Sequence, residues 1–288
     1  MAFPRVRFGT AGNPTTAKST VEGIAQVRTL GLDAFEIELV HGASKVKVET
    51  AQSWGKVAKE NDIRLSAHGP YYINLISEKP ETRVASVERV LQTARVIHHA
   101  GGDRVVFHPG FYGKIPQPQA VKELHEWYAK IIDGVKQEKL KATIAPETTG
   151  GWKELGSLDE LLGLTEAFGL QYAWPTLDFS HLHCRNGKPE LNTAADFQAI
   201  FEKVEKRAGK KAVQKFHAHV QCVKWGPGGE INHLPVDAKA PDLKMFMALL
   251  AKLCEEQGYG GTVICESPLL EKDTLRLQEW FNTALNGS

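Results

Sequence analysis

The side chains best suited to chemistry crowd residues 173–185, AWPTLDFSHLHCR: an apolar run ends at Asp178, His181 follows three residues on, and His183 two after that. Carboxylate oxygen and imidazole nitrogen together suit zinc, manganese or iron. An Asp-x-x-His is also a common helix cap, so the stretch gains weight from what it joins. Other apolar segments end in the same way, at His68, His108, Glu147 and Glu266. A seventh segment carries His217 and His219, on one face because strand side chains alternate, with Glu230 and His233 in the loop behind it. Each alone has a plain structural reading, as a turn cap or a satisfied buried polar group. Together they do not, because burying so many unpaired ionisable groups is costly. Metal ions are the compensation that fits. A four-coordinate site with an open position uses about three protein ligands, so this many candidates implies two or three ions. Clustered divalent ions suit phosphodiester hydrolysis, where they generate hydroxide, orient the phosphate and stabilise the leaving alkoxide. The competing chemistry is sugar isomerisation, in which one or two ions hold adjacent hydroxyls.

These residues need a scaffold that brings strand ends together. Strand patterns fall at 5–9, 34–40, 63–68, 103–108, 142–147, 173–178, 214–220 and 262–266. Helix patterns fall at 19–30, 47–60, 81–100, 120–137, 158–168, 192–207, 241–257 and 273–285, with Ser157 and Glu160 spaced as a capping box. Residues 225–230 read as a glycine-rich loop. Unbroken alternation implies a parallel sheet with helices outside, and eight units suit a (β/α)8 TIM barrel, one domain over residues 1–288 with its site at the strands' C-terminal ends. Glu36 and Glu38 share one face of the second strand, which fits a barrel lumen or a strand end. A doubly wound open sheet is the runner-up, but it favours a Gly-x-Gly-x-x-Gly turn after the first strand, and GTAGNP is not one.

The totals bound the alternatives. With 35 basic and 34 acidic residues in 288, the chain as a whole is no polyanion trap, although site carboxylates can mask a local basic surface in the sum. Cys184, Cys222, Cys254 and Cys265 show no paired spacing, which argues against a disulfide framework and a zinc ribbon and for a reducing, cytoplasmic setting. The opening MAFPRVRFG has no apolar core of signal-peptide type, and no run reaches membrane-spanning length.

Taken in order, the motifs resemble those of the endonuclease IV family, metal-dependent apurinic/apyrimidinic endonucleases that share a barrel superfamily with xylose-isomerase-like enzymes. The resemblance runs through HGPYYINL at 68–75, FHPG at 107–110, APETTGGWKELGSLDEL at 145–161, LDFSH at 177–181 and CESP at 265–268. It implies one ion on His68, His108 and Glu147, and a second on Glu147, Asp178, His219 and Glu266. A third would sit on His181 and His233. Glu147 and Glu266 would be the catalytic carboxylates, and zinc the metal, with manganese or iron as alternatives. The implied partner is double-stranded DNA carrying an abasic or damaged nucleotide, cut on its 5′ side by a monomer. Tyr71 would stack against the displaced nucleotide, while Lys224 and Arg185, with Lys45 and Lys47, would contact phosphates. His217 and His183 would stand behind the ligands.

Two places depart from the family pattern. FHAHVQC offers both His217 and His219, and the distance from His219 to His233 suits the family spacing better. In GEINHLP the family's aspartate position reads Ile231, leaving Glu230 as the side chain that could swing in. A sugar isomerase or epimerase on the same fold remains the second expectation, favoured by Glu36, Glu38, the missing aspartate and the near-neutral charge.

Overall fold

Eight short parallel strands carry every candidate strand end to one rim. They are β1 (Val6–Ala11), β2 (Ala34–Glu38), β3 (Arg64–His68), β4 (Arg104–Phe107), β5 (Thr143–Pro146), β6 (Thr176–Asp178), β7 (Phe216–Val220) and β8 (Gly261–Cys265). The computed structural model describes residues 6–287, so Arg5, the expected start of the first strand, lies outside the described residues. The strands pair in the order β5-β4-β3-β2-β1-β8-β7-β6. Parallel bridges Ile144–Ala173 and Glu147–Thr176 draw the two end strands together. The result is a nearly closed (β/α)8 barrel.

Its elements follow from local chemistry. The strands are buried on both faces, as a parallel sheet under helices requires. The helices that cover them start and stop on readable signals. Ser157 and Glu160 form the expected capping box of Leu158–Phe168, and Pro80 opens a helix that Gly101 ends at φ 69°. Val106, Ala145 and Trp174 pack as a small lumen cluster, and the Arg104 guanidinium lies 4.1 Å from the Trp174 ring centroid, plugging the N-terminal end. Functional side chains are thereby left the C-terminal end. Register aligns them: Glu38 pairs beside His68, and Asp178 beside His219.

Residues 225–230 are not the loop their glycines suggest. They form the tip of an antiparallel hairpin, Cys222–Gly226 with Gly229–Leu234. A short helix, Phe179–Cys184, follows β6 directly, and a two-stranded ladder, Gly110–Phe111 with Glu154–Leu155, stitches the loops after β4 and β5. The cysteines are free and buried. Among the described residues no helix is long and apolar enough to cross a membrane.

Candidate metal centre

Glu147, one residue past β5, is 1% exposed and meets four histidines. Its Oε2 lies 3.2 Å from His68 Nε2 and 3.4 Å from His108 Nε2, and its Oε1 3.2 Å from His219 Nδ1 and 3.3 Å from His181 Nδ1. Donor atoms of His68, His108 and Glu147 lie within 4.8 Å of one another, as do those of Glu147, Asp178, His219 and Glu266. The two groups share Glu147. A third group, His181, Glu230 and His233, meets the same limit beside them.

The outer nitrogens show what the inner ones are for. His68 Nδ1 is 2.8 Å from the Gly69 carbonyl, His181 Nδ1 2.7 Å from the Thr148 carbonyl and His233 Nδ1 3.0 Å from the Glu266 carbonyl. A carbonyl only accepts, so each Nδ1 carries a proton and donates it. The inner Nε2 of each ring then faces a carboxylate oxygen, a pairing that needs either a second ring proton or a metal cation between the two atoms. His219 is reversed: its Nε2 is 2.8 Å from Glu36 Oε1, and its Nδ1 faces Glu147 and, at 3.1 Å, Glu266. Histidine held from behind by a carbonyl or carboxylate is the arrangement of a metal ligand, and the mixed nitrogen and oxygen donors fit a transition-metal ion.

The electrostatics agree. Burial works against a charged His68, yet Glu147, Glu38 and Glu266 outweigh it and raise its pKa to about 10. Burial also disfavours charge on His181 and His219, and the neighbouring carboxylates again raise both well above the ordinary range. Burial pushes Asp178 up to about 6 and Glu38 up to about 8. The centre demands positive charge, which a metal ion supplies as well as a proton does.

The third group depends on a bulge. In the hairpin, Lys224 pairs with Asn232 but Trp225 pairs with Glu230, so Ile231 has no partner. One extra residue in a strand reverses the alternation beyond it. Glu230 and His233, three apart, therefore share a face that a regular strand would deny them, and Ile231 turns outward, 60% exposed. Glu230 Oε2 lies 2.7 Å from His181 Nε2, and its Oε1 3.0 Å from His233 Nε2. The hairpin is tied down by Glu230 N–H donating to the Gly150 carbonyl at 3.0 Å. Gly150 and Gly229 leave no room for side chains there: a Cβ on Gly150 would come within 2.9 Å of Glu230, and one on Gly229 within 2.1 Å of the Gly150 carbonyl.

Asp178 is both a cap and a centre residue. Its Oδ1 accepts from His181 N–H at 2.7 Å at the start of the short helix, and its Oδ2 from Gln221 Nε2 at 2.8 Å. Tyr71 is 63% exposed at the mouth, its ring centroid 5.7 Å from that of His68. Lys45, Lys47 and Lys224 are exposed. Arg185 is not the free surface cation expected for a phosphate contact. It is buried, donating to the Thr149 carbonyl at 2.9 Å and hydroxyl at 2.5 Å and to the Glu154 carbonyl. His183 corrects the expectation too: its Nδ1 accepts from Leu191 N–H at 3.2 Å and its ring meets Trp225 edge-on, so it braces the hairpin's neighbourhood and joins no donor group among the described residues.

Two residues carry more than their sequence signal suggested. Glu36 is fully buried, bound by Ser66 Oγ at 2.6 Å and by His217 Nε2 at 2.9 Å, and it backs His219. The Glu-x-Glu on one strand face was its only mark. Gln221, which holds Asp178, had none.

The model of the xylose isomerase-like TIM barrel family matches residues 24–284. An uncharacterized protein of Methanocaldococcus jannaschii is 35% identical over 277 residues, 96% of each chain. A probable endonuclease 4 of Aquifex aeolicus is 24% identical across 82% of this chain and 84% of its own. Among solved structures, endonuclease IV from Thermus thermophilus superposes with a TM-score of 0.73 at 18% identity, covering 98% of this chain and all of that one (100%). A D-tagatose 3-epimerase-like protein superposes at 0.72, also at 18% identity, with 97% of each chain covered. Likeness at such identity speaks to the fold; the family match spans most of the chain, which therefore belongs to the xylose isomerase-like TIM barrel family.

Proposed function

We propose that the protein is a metal-dependent apurinic/apyrimidinic endonuclease that hydrolyses the phosphodiester 5′ to an abasic or damaged nucleotide in duplex DNA. One observation carries the reading: of the five groups of potential metal donors among the described residues, three match the expected ion sites, and two of these share Glu147. A sugar isomerase needs only one or two ions. His68, His108 and Glu147 would hold the first ion, Glu147, Asp178, His219 and Glu266 the second, and His181, Glu230 and His233 the third, zinc being favoured over manganese or iron. When bound, such ions activate water and offset charge on phosphoryl oxygens. The chain's own part is positional. Glu36 and the backbone carbonyls fix the imidazole tautomers, Gln221 holds Asp178, and burial of Glu147 keeps bulk water from the shared carboxylate. Tyr71 offers an exposed ring at the mouth for a base or for the gap where one is missing. Lys45, Lys47 and Lys224 supply exposed cations for the DNA backbone.

The test is incubation with a duplex bearing one abasic site, with and without chelator. Chelator-sensitive incision leaving a 3′-hydroxyl supports the reading; an intact duplex with a metal-loaded protein rejects it. A sugar isomerase or epimerase is the second reading, favoured by Glu36 and Glu38, which bring two further carboxyl groups within 4.8 Å of Glu266. Conversion of a ketohexose by the protein that leaves abasic DNA intact would establish it.

A further inference from the structure

Beside the metal centre lies a cleft of about 640 Å³ lined by Tyr112, Gln117, Trp152, Lys153, Arg185 and Asn186, among others. These residues follow His108, Glu147 and His181 within ten residues along the chain, which places the cleft on the same rim of the barrel as the donor groups. Its walls are built. The Gly110–Phe111 and Glu154–Leu155 ladder and a Tyr112 N–H bond to the Lys153 carbonyl at 3.1 Å join the segments after His108 and Glu147. Arg185 ties the segment after His181 to the one after Glu147 through the carbonyls of Thr149 and Glu154.

Two features define the ligand. The first is charge. Every partner of the Arg185 guanidinium is neutral, and among the described residues no carboxylate pairs with it, although it is only 8% exposed. Lys153 adds a second cation, and among the described residues no acidic one lines the cleft. Arg185 reaches the buried Glu160 carboxylate only through the Tyr112 hydroxyl, 3.5 Å from its Nη2 and 2.5 Å from Glu160 Oε1, so a directly paired anion is still favoured in the cleft. The second is an open aromatic face. Trp152 is 51% exposed, with Lys153 Nζ 5.0 Å from its ring centroid, and the amides of Gln117 and Asn186, which donate to Glu160 at 3.5 Å and Glu190 at 3.4 Å, keep their oxygens as acceptors for a polar edge. An anion joined to a flat, polar-edged ring is a nucleotide.

Resting on the nuclease reading, we infer that this cleft is a nucleotide-binding subsite. In it the base of an intact nucleotide neighbouring the scissile phosphate stacks on Trp152 while its phosphate faces Lys153 and the field of Arg185. Stacking of this kind tolerates any base, which suits an enzyme that must act regardless of sequence.

The experiment uses the metal-loaded protein, titrated calorimetrically with deoxyadenosine monophosphate, 2-deoxyribose 5-phosphate and deoxyadenosine. Deoxyadenosine monophosphate should bind at least about fivefold more tightly than the base-free sugar phosphate, the low end of what one base–aromatic stack provides. Trp152→Ala should erase that difference. Lys153→Ala should weaken the two phosphate-bearing ligands and leave deoxyadenosine unaffected. Equal binding of nucleotide and sugar phosphate by the unaltered protein overturns the inference, with no variant needed. So does a nucleotide preference that survives Trp152→Ala. The nuclease reading is tested apart from this: a protein that binds the nucleotide through Trp152 but leaves abasic DNA intact keeps the cleft and loses the nuclease.

Discussion

The donor groups around Glu147 and the group around Glu230 hold the same kinds of atoms at similar distances, yet they are built differently. The former stand at the ends of barrel strands, with Glu147, Asp178 and His219 all at most 1% exposed. The latter rests on a short helix and a bulged hairpin, with Glu230 and His233 side chains 23% and 30% exposed. Strand ends in a closed barrel cannot move singly. A hairpin tied by Glu230 N–H to the Gly150 carbonyl can shift, lose one residue's register, or open. The difference predicts a rigid pair of ion sites and a third that can be emptied without touching them.

The largest effect should come from Glu147→Gln, which keeps size but removes the charge shared by two donor groups. Incision of abasic duplex should fall by roughly 10²–10³-fold, the equivalent of several kcal/mol of lost electrostatic stabilisation, with two ions lost by elemental analysis and the circular dichroism spectrum kept. A near wild-type rate would dissolve the idea of a shared carboxylate.

Next are the residues behind His219. Glu36→Gln should lower metal affinity about 10–100-fold, the usual consequence of losing a ligand's orienting partner. His219→Ala should abolish one ion, whereas His217→Ala, which removes only a neighbour on Glu36, should weaken binding mildly. A larger metal loss in the His217 variant would reverse the assignment. Nitrogen chemical shifts of the metal-loaded protein offer an independent check, since His219 should keep its proton on Nε2 and His68 on Nδ1.

How much of this the sequence could reveal depends on the same contrast. The eight strands and their covering helices are legible because hydrophobic runs and turn residues mark them locally, and a strand end is a position that any reader can find. Each of His68, His108, Glu147, Asp178 and Glu266 therefore announces itself. Glu36 does not, because its partners His217 and His219 lie about 180 residues away and only the register of β1, β2, β7 and β8 brings them together. The hairpin escaped because its glycines, one of them at φ 102°, read as a loop when they in fact allow two backbones to touch at Gly150. Arg185 misled in the opposite sense: arginine is usually a surface residue, and nothing local says that two carbonyl and two hydroxyl groups await it.

The third group should come apart alone. Glu230→Gln should lose one ion and lower kcat by about tenfold, with DNA affinity and the other two ions retained. Gly150→Ala should do the same through crowding, since the new Cβ meets both Glu230 and His181. If either variant empties all three sites, the two regions are one cooperative unit and the comparison fails.

A smaller effect separates the regions by pH. Burial raises the Glu38 carboxyl to about 8 from an ordinary 4.5. Its folded pKa is thus above its unfolded one. Its contribution to stability is whole below about pH 4.5 and is lost as pH rises through 8. In chelator-treated protein, Glu38→Gln should leave the melting temperature unchanged at pH 5 and raise it by several degrees at pH 9, at about 2–4 °C per kcal/mol in a domain of this size. A constant difference across that range would show that the carboxyl is not held protonated.

The smallest expected change is the most informative about the hairpin. Ile231 occupies the position where the family pattern has an aspartate, so Ile231→Asp looks from the sequence like a repair. In the structure the bulge sends residue 231 outward, and an aspartate there would point at solvent. Metal content and kcat should stay within about twofold of wild type, the ordinary range for a surface substitution. The double variant Ile231→Asp with Glu230→Gln sharpens the point. If the bulge is fixed by Gly229 packed on Gly150, the double variant should be as poor as Glu230→Gln alone. If it recovers the third ion, the strand has slipped by one residue, His233 has found a new neighbour at the spacing of two, and the register is a property of residue 230 rather than of the glycines beneath it.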